Sequence, residues 1–229
     1  MNKDDQIKAF VKEELEIFGG PLYMPETGLE IDVEKTSVSS KAEILSDFNR
    51  AIENCMNCPL GATRTNFVFG AGNPDADIMF VGEAPGEKED LEGKPFVGRS
   101  GKLLNDILKA IDLTREDVYI ANILKCRPPN NRDPNRAEID ECEPYLLKQI
   151  EIIKPKLLVA LGRISATTLL RTKASLTSMR GQVFDYHGTD MVVTYHPAAL
   201  LRNPNWKRPA WEDFKKIREM YREKRGEQA

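Results

Sequence analysis

DIMFVGEAPG, residues 77–86 of a chain of 229, decides the fold. Ile78, Met79, Phe80 and Val81 are apolar without alternation, and the run stops at Gly82 in a loop holding Pro85 and Gly86. A strand with one wet face alternates apolar and polar residues, whereas a strand covered on both faces does not. The stretch therefore predicts a buried central strand whose carboxyl end opens into a glycine-bearing loop.

Outward from it, strands and helices alternate. GKLLNDILKAI (101–111) predicts a helix with Leu103, Leu104, Ile107, Leu108 and Ile111 inward, and DVYIANIL (117–124) a second strand. Asn135 and Glu138 have the spacing that caps a long helix through about residue 153. KLLVALG (156–162) is a third strand, followed by a short helix over 164–170, a β excursion in GQVFDYHGTD (181–190) and a final strand in MVVTY (191–195). A basic helix over about 209–224 closes the pattern. This order predicts a three-layer α/β/α sandwich around a short, mainly parallel four-stranded sheet, whose ligands sit beyond the carboxyl ends of the strands. Upstream, Ser40 and Glu43 have capping-box spacing for a helix burying Leu45, Phe48 and Ile52. An amphipathic helix over 7–18 and an irregular linker form an extension (1–40) before the domain (41–225), with a tail at 226–229.

The net charge of −3 is unevenly spread: residues 1–50 carry 11 acidic against 6 basic side chains, and from Leu200 onward 9 basic face 5 acidic. Local potential steers ligands, so the overall acidity does not exclude a polyanion partner. No apolar run approaches the roughly 20 residues that span a bilayer, and MNKDDQIKAF (1–10) has charges where a signal peptide is apolar. A cytoplasmic monomer is expected, with reduced thiols. The same ten residues do not make a convincing processivity-clamp peptide.

Cys55 and Cys58 form a C-x2-C pair; Cys126 follows the second strand and Cys142 lies 15 intervening residues later, within a helix. Four thiolates suit tetrahedral zinc or a [4Fe–4S] cluster. Zinc sites usually pair two short knuckles, and the wide second pair leans towards the cluster; unligated thiols remain a third reading.

Two loops carry chemistry. Gly82 to Lys102 packs Glu83, Glu87, Glu89 and Asp90 into eight residues, which argues against phosphate binding, and GRSGKL lacks both the spacing and the Ser or Thr of a P-loop. Phe96 stands in that polar loop as a candidate stacking surface or as a ring tucked beneath its own loop. Asn122 ends the second strand with an amide that donates and accepts at once. His196 follows the last strand, as a structural ring or as a donor at the ligand edge.

GEAPG (82–86), GKPFVGRSGKLL (93–104), NILKCRPPNNRDP (122–134) and HPAALLRNP (196–204), with the four cysteines at matching places, resemble the family 4 uracil-DNA glycosylases over about 55–221. The resemblance implies an iron–sulfur enzyme of base excision repair that flips uracil out of DNA and hydrolyses its bond to deoxyribose. Gly82, Glu83 and Ala84 would line the uracil pocket, Phe96 would stack on the base, Asn122 would read its edge and His196 would face O2. Cys55, Cys58, Cys126 and Cys142 would hold a structural [4Fe–4S] cluster. Glu83 is the expected water-orienting carboxylate, with Glu89 and Asp90 as substitutes. Leu200 and Leu201 are expected as wedges in the vacated base stack and Arg202 and Arg127 as phosphate contacts, with Arg132 and Arg136 nearby. The loop after the second strand holds no histidine, so hydrolysis without a covalent histidine adduct is expected. A non-catalytic iron–sulfur or zinc nucleic-acid-binding module is the alternative of a different class.

Overall fold

The structure, a computed structural model, describes residues 39–226. The helix expected over 7–18, most of the linker and the tail beyond residue 226 lie outside the described residues.

Helix α1 (Lys41–Ile52) begins as its sequence dictates: the Ser40 side chain accepts from the Glu43 N–H, and the Glu43 carboxylate accepts from the Ser40 N–H. Six strands follow in one sheet: β1 (Ala71–Gly72), β2 (Ile78–Gly82), β3 (Tyr119–Asn122), β4 (Leu157–Leu161), β5 (Val183–Tyr186) and β6 (Thr189–Thr194), in the order β1-β3-β2-β4-β6-β5. The four expected strands, β3, β2, β4 and β6, run parallel at its centre. Two antiparallel edge strands raise the expected count of four to six: β1 pairs with β3, and β5 folds back on β6 as the hairpin of the β excursion.

Between the strands lie α2 (Glu87–Glu92), α3 (Arg99–Ala110), α4 (Arg136–Ile153), α5 (Arg163–Leu169) and α6 (Leu176–Met179); α7 (Pro197–Arg202) and α8 (Lys207–Arg225) follow β6. Every residue of β2 and β4 is buried. Their side chains divide by parity: Met79, Val81, Leu158 and Ala160 pack with Leu146 and Ile153 of α4 and Leu45 of α1. Ile78, Phe80, Leu157 and Val159 pack with Leu104 and Leu108 of α3 and Phe214 and Ile217 of α8. Each such side chain taken out of water is worth roughly 1.5–3 kcal/mol, so both faces pull equally on the register.

Helix α8 is fastened to β6 by a buried ionic knot. Arg180 donates through Nε and a terminal nitrogen to both Asp213 oxygens (2.7 and 3.0 Å), and Thr194 Oγ1 donates to Asp213 Oδ2 at 2.7 Å. The side chains are only 14% and 9% exposed. Removing one charge of such a pair strands the other in a poorly solvated place. Asp213→Asn is therefore expected to lower stability by about 3 kcal/mol in urea unfolding; a loss under about 0.5 kcal/mol would mean that the knot is solvated.

Candidate functional site

The strand order reverses between β2 and β4, and the carboxyl ends of all four parallel strands contribute there, as expected at such a switch point. Gly82 ends β2 and pairs in register with Asn122 at the end of β3. A Cβ on Gly82 would run into Asn122 Oδ1 and come within 2.7 Å of the Phe96 ring, so glycine lets the amide and the ring close over one backbone position. Asn122 is 2% exposed, and its Oδ1 has no hydrogen-bond partner. A buried acceptor left unmade costs roughly 1–3 kcal/mol. Such a cost at a strand end marks a place for a ligand donor.

Phe96 is 4% exposed, and its ring packs into the core with Phe80 and Leu104. The ring lies 5.3 Å from that of His196, tilted by 31°. Its backbone is left-handed (φ 53°), a strained region for a non-glycine residue. Arg115 enforces it, donating to the carbonyls of Phe96 (2.8 Å) and Pro95 (2.6 Å), while Gly101 leaves room where a Cβ would strike the Phe96 carbonyl. Glu89 accepts from the N–H groups of Val97 and Gly98, both at 2.9 Å. Asp90 accepts from those of Thr65 and Asn66. Glu89 and Asp90 are thus buried backbone clamps, which corrects the expectation that either substitutes for Glu83.

His196 caps α7: its Nδ1 accepts from the Ala198 N–H at 3.1 Å, so in the neutral ring the proton sits on Nε2. Burial, reinforced by the positive charge of Arg202, pulls its pKa down to about 4. The ring is therefore neutral at physiological pH, with its proton on Nε2. Gly162, just beyond β4 at φ +94°, makes the space; a Cβ there would lie 2.9 Å from His196 Cβ.

Glu83 and His196 share a cavity of about 470 Å³ whose wall also includes Asp133, Arg163, Arg202 and Trp206. Burial and the negative charge of Asp133 push the Glu83 pKa up to about 7, against the pull of Arg163 and Arg202. Ala84 lines this cavity too; Gly82, Phe96 and Asn122 are not part of its wall but meet one another at residue 82, and the Phe96 ring lies against that of His196. Leu201 is 37% exposed and Arg202 is exposed, but Leu200 is buried against Tyr195 and Ala210. Leu200 is therefore core, which corrects its expected role as a wedge. Arg127 donates to Asn131 and stands apart from the cavity wall; Arg132 and Arg136 are paired with Glu138 and Asp140. Sequence reasoning missed Asp133, Arg163, Gly162, Arg115 and Trp206. Of these only Gly162 carried a signal, as a glycine ending an apolar strand.

None of the four cysteines is in a disulfide. Tyr145 Oη donates to Cys55 Sγ (3.1 Å), the Lys125 N–H to Cys142 Sγ (3.2 Å) and Arg64 to Cys126 Sγ (3.4 Å) and the Cys55 carbonyl (2.6 Å). Burial raises the pKa of Cys126 and pushes that of Cys142 up to about 12; the neighbouring cysteines add to both shifts, and Arg64 and Lys125 respectively oppose them. Among the described residues no three His, Cys, Asp or Glu side chains are grouped as a single metal ion requires. The Lys125 ammonium is fully buried and donates to the Asn122 carbonyl (2.9 Å) and Gln149 Oε1 (2.6 Å), both neutral. Burial pulls its pKa down to about 8, and negative charge on Cys142 and Cys126 works against that shift. Arg64 and Lys125 together suit a group held by anionic sulfurs.

The family model described as the uracil DNA glycosylase superfamily matches residues 69–215. A protein of Sulfurisphaera tokodaii named Type-4 uracil-DNA glycosylase is 50% identical over 185 residues, covering 77% of this chain and 84% of its own length. Proteins of the same name from Archaeoglobus fulgidus and Thermotoga maritima are 46% and 45% identical, each over 78% of this chain and over 94% and 95% of their own lengths.

Nitrogen-detected NMR of ring-labelled protein is expected to show His196 as the Nε2–H tautomer, titrating near pH 4 if it titrates before unfolding. A midpoint above 6 would contradict the burial that sets it.

Proposed function

This chain belongs to the uracil DNA glycosylase superfamily and, within it, to the type-4 family, and from that premise we propose that it excises uracil from DNA by hydrolysis, leaving an abasic site. The observation that carries the proposal is the buried, unpartnered Asn122 Oδ1 beside Phe96 and a neutral His196. Uracil offers the missing partner as N3–H and an acceptor for the Asn122 Nδ2–H as O4; cytosine presents the reverse pattern and leaves both amide groups unmatched.

The target base must leave the stack, since the glycosidic bond and the pocket cannot meet inside a duplex. Leu201 and Arg202, exposed on α7, serve the vacated stack and the adjoining phosphate, and Arg127 a second phosphate. With uracil stacked on Phe96, the C1′–N1 bond breaks and its electron pair goes to the base, leaving the sugar cationic. His196 Nε2–H donates to O2 as negative charge gathers there, worth about 3 kcal/mol for one well-aimed donor. A neutral donor suits the step, because O2 becomes anionic without taking the proton outright. The Glu83 carboxylate orients water towards C1′ and accepts its proton. The backbone at Glu83 and Ala84 crowds C5, which excludes the thymine methyl.

Cys55, Cys58, Cys126 and Cys142 would hold a [4Fe–4S] cluster, with Arg64 and Lys125 as its counter-charges. Bound there, such a group would supply a structural cross-link, because its four ligands come from the α1 exit, the β3 exit and α4. Residues 41–225 form the working domain, and uracil-containing DNA, single- or double-stranded, is the partner. Cytoplasmic residence, as a monomer, keeps the thiols reduced. Among the described residues no helix is long and apolar enough to cross a membrane.

A uracil-bearing oligonucleotide incubated with the protein and then treated with alkali is expected to break at uracil, whereas its thymine counterpart stays whole. His196→Ala is expected to slow excision by about 10²–10³. Intact uracil strands after incubation with fully metallated protein would replace the enzyme with a binding module. Because Glu83 acts as the carboxylate, kcat/KM is expected to rise with pH through about 7, and Glu83→Gln to remove that limb along with most of the rate. A flat profile in the parent protein would reassign the base. Purified protein is expected to be brown and to hold iron and acid-labile sulfide in equal amounts, whereas colourless, zinc-loaded protein would exclude the cluster.

A further inference from the structure

Trp206 closes the short 3-10 turn Pro204–Trp206 after α7 and is 40% exposed. One face of its ring is taken: it stacks on Tyr195 at 5.1 Å between centroids and 17° between planes. Tyr195 is itself fixed, because Arg180 donates to its hydroxyl at 3.1 Å and lies over its ring at 4.3 Å. Arg180 is in turn held by both oxygens of Asp213 and by the Pro209 carbonyl at 2.7 Å. The indole is thus mounted on a rigid column rooted in β6 and α8, leaving little rotamer entropy to lose on contact with a flat ligand. It lines the same cavity as Glu83, His196 and Arg202, and exposed Lys207 and Arg208 follow it directly.

From this arrangement we infer that Trp206 is a second stacking platform, taking the nucleobase that flanks the flipped uridine on the same strand. The inference rests on the glycosylase reading and adds to it a subsite for the neighbouring nucleotide. Cationic side chains around a preorganised aromatic face fit a polyanion carrying flat bases better than an apolar peptide. Such a stack carries no base identity, since every base presents a π-face. Trp206 therefore raises affinity for the strand around uracil whatever its sequence. Leu201 addresses the gap left in the duplex; Trp206 addresses the strand that leaves it.

The chain has two tryptophans, Trp206 and Trp211. In a Trp211→Phe background, Trp206 is the sole indole and reports on its own contacts. Titration with a single-stranded oligonucleotide carrying 2′-fluorodeoxyuridine, which resists hydrolysis, is expected to quench its emission strongly. A baseless spacer on one side of that nucleotide is expected to relieve the quench. Trp206→Ala is expected to weaken binding of the same strand roughly tenfold, within the range one base–aromatic stack carries. It should raise KM by a similar factor with kcat within about twofold, and Trp206→Phe should restore most of the affinity. Unchanged emission at saturation, a quench indifferent to spacers on either side, or full affinity in Trp206→Ala would each overturn the inference. Failure of the glycosylase reading is separable: uracil strands then stay intact in the alkali assay with the parent protein, whatever the indole reports.

Discussion

The site depends on one steric constraint: nothing heavier than hydrogen can project from residue 82. Parallel pairing places Gly82 beside Asn122, and the loop after α2 returns Phe96 over the same position. A methyl group there would separate the amide from the ring. The register that aligns 82 with 122 is fixed far from the site, by the parity of apolar residues in β2 and β3 facing two different helical layers. A slip by one residue would invert both cores. The large energies of the core are thereby converted into the placement of one small amide.

Around that closure, desolvation acts with opposite signs on two ionisable groups. Exclusion of water penalises charge, so it lowers the pKa of His196 and raises that of Glu83. A histidine held neutral donates without surrendering a proton. A carboxyl group brought near neutrality is a stronger base than an exposed one. Asp133 assists on one side, and Arg163 and Arg202 restrain the shift on the other. One cavity with one low dielectric thus tunes both groups, without a separate device for each.

Much of this was legible in the sequence where local chemistry and long-range packing agree. The capping boxes at Ser40 and Asn135 and the apolar runs of β2 and β4 could be read directly, because each is specified by contiguous residues. The edge strands were less legible: β1 has only two residues, and β5 has the mixed exposure of a ribbon with one free side. The errors within the site share a cause. Glu83, Glu89 and Asp90 have the same chemistry within eight residues, and only the direction of each side chain separates a cavity wall from a backbone clamp. Leu200 and Leu201 differ likewise by one step of a helix turn, which buries the first and exposes the second. Trp206 gave no signal, because its partner Tyr195 lies eleven positions away.

The cysteine region is joined to the site by more than sequence proximity. Lys125 lies between Asn122 and Cys126, its ammonium bonded to the Asn122 carbonyl and its backbone N–H to Cys142 Sγ. Burial among neutral acceptors pulls the pKa of that ammonium down to about 8, and negative charge on Cys142 and Cys126 acts against the pull. The ammonium is bonded to the carbonyl of the residue with the unpaired amide oxygen, so it braces the β3 terminus from beneath. The cysteines are therefore linked through one residue, Lys125, to the strand end that carries Asn122, although none of them lines the cavity.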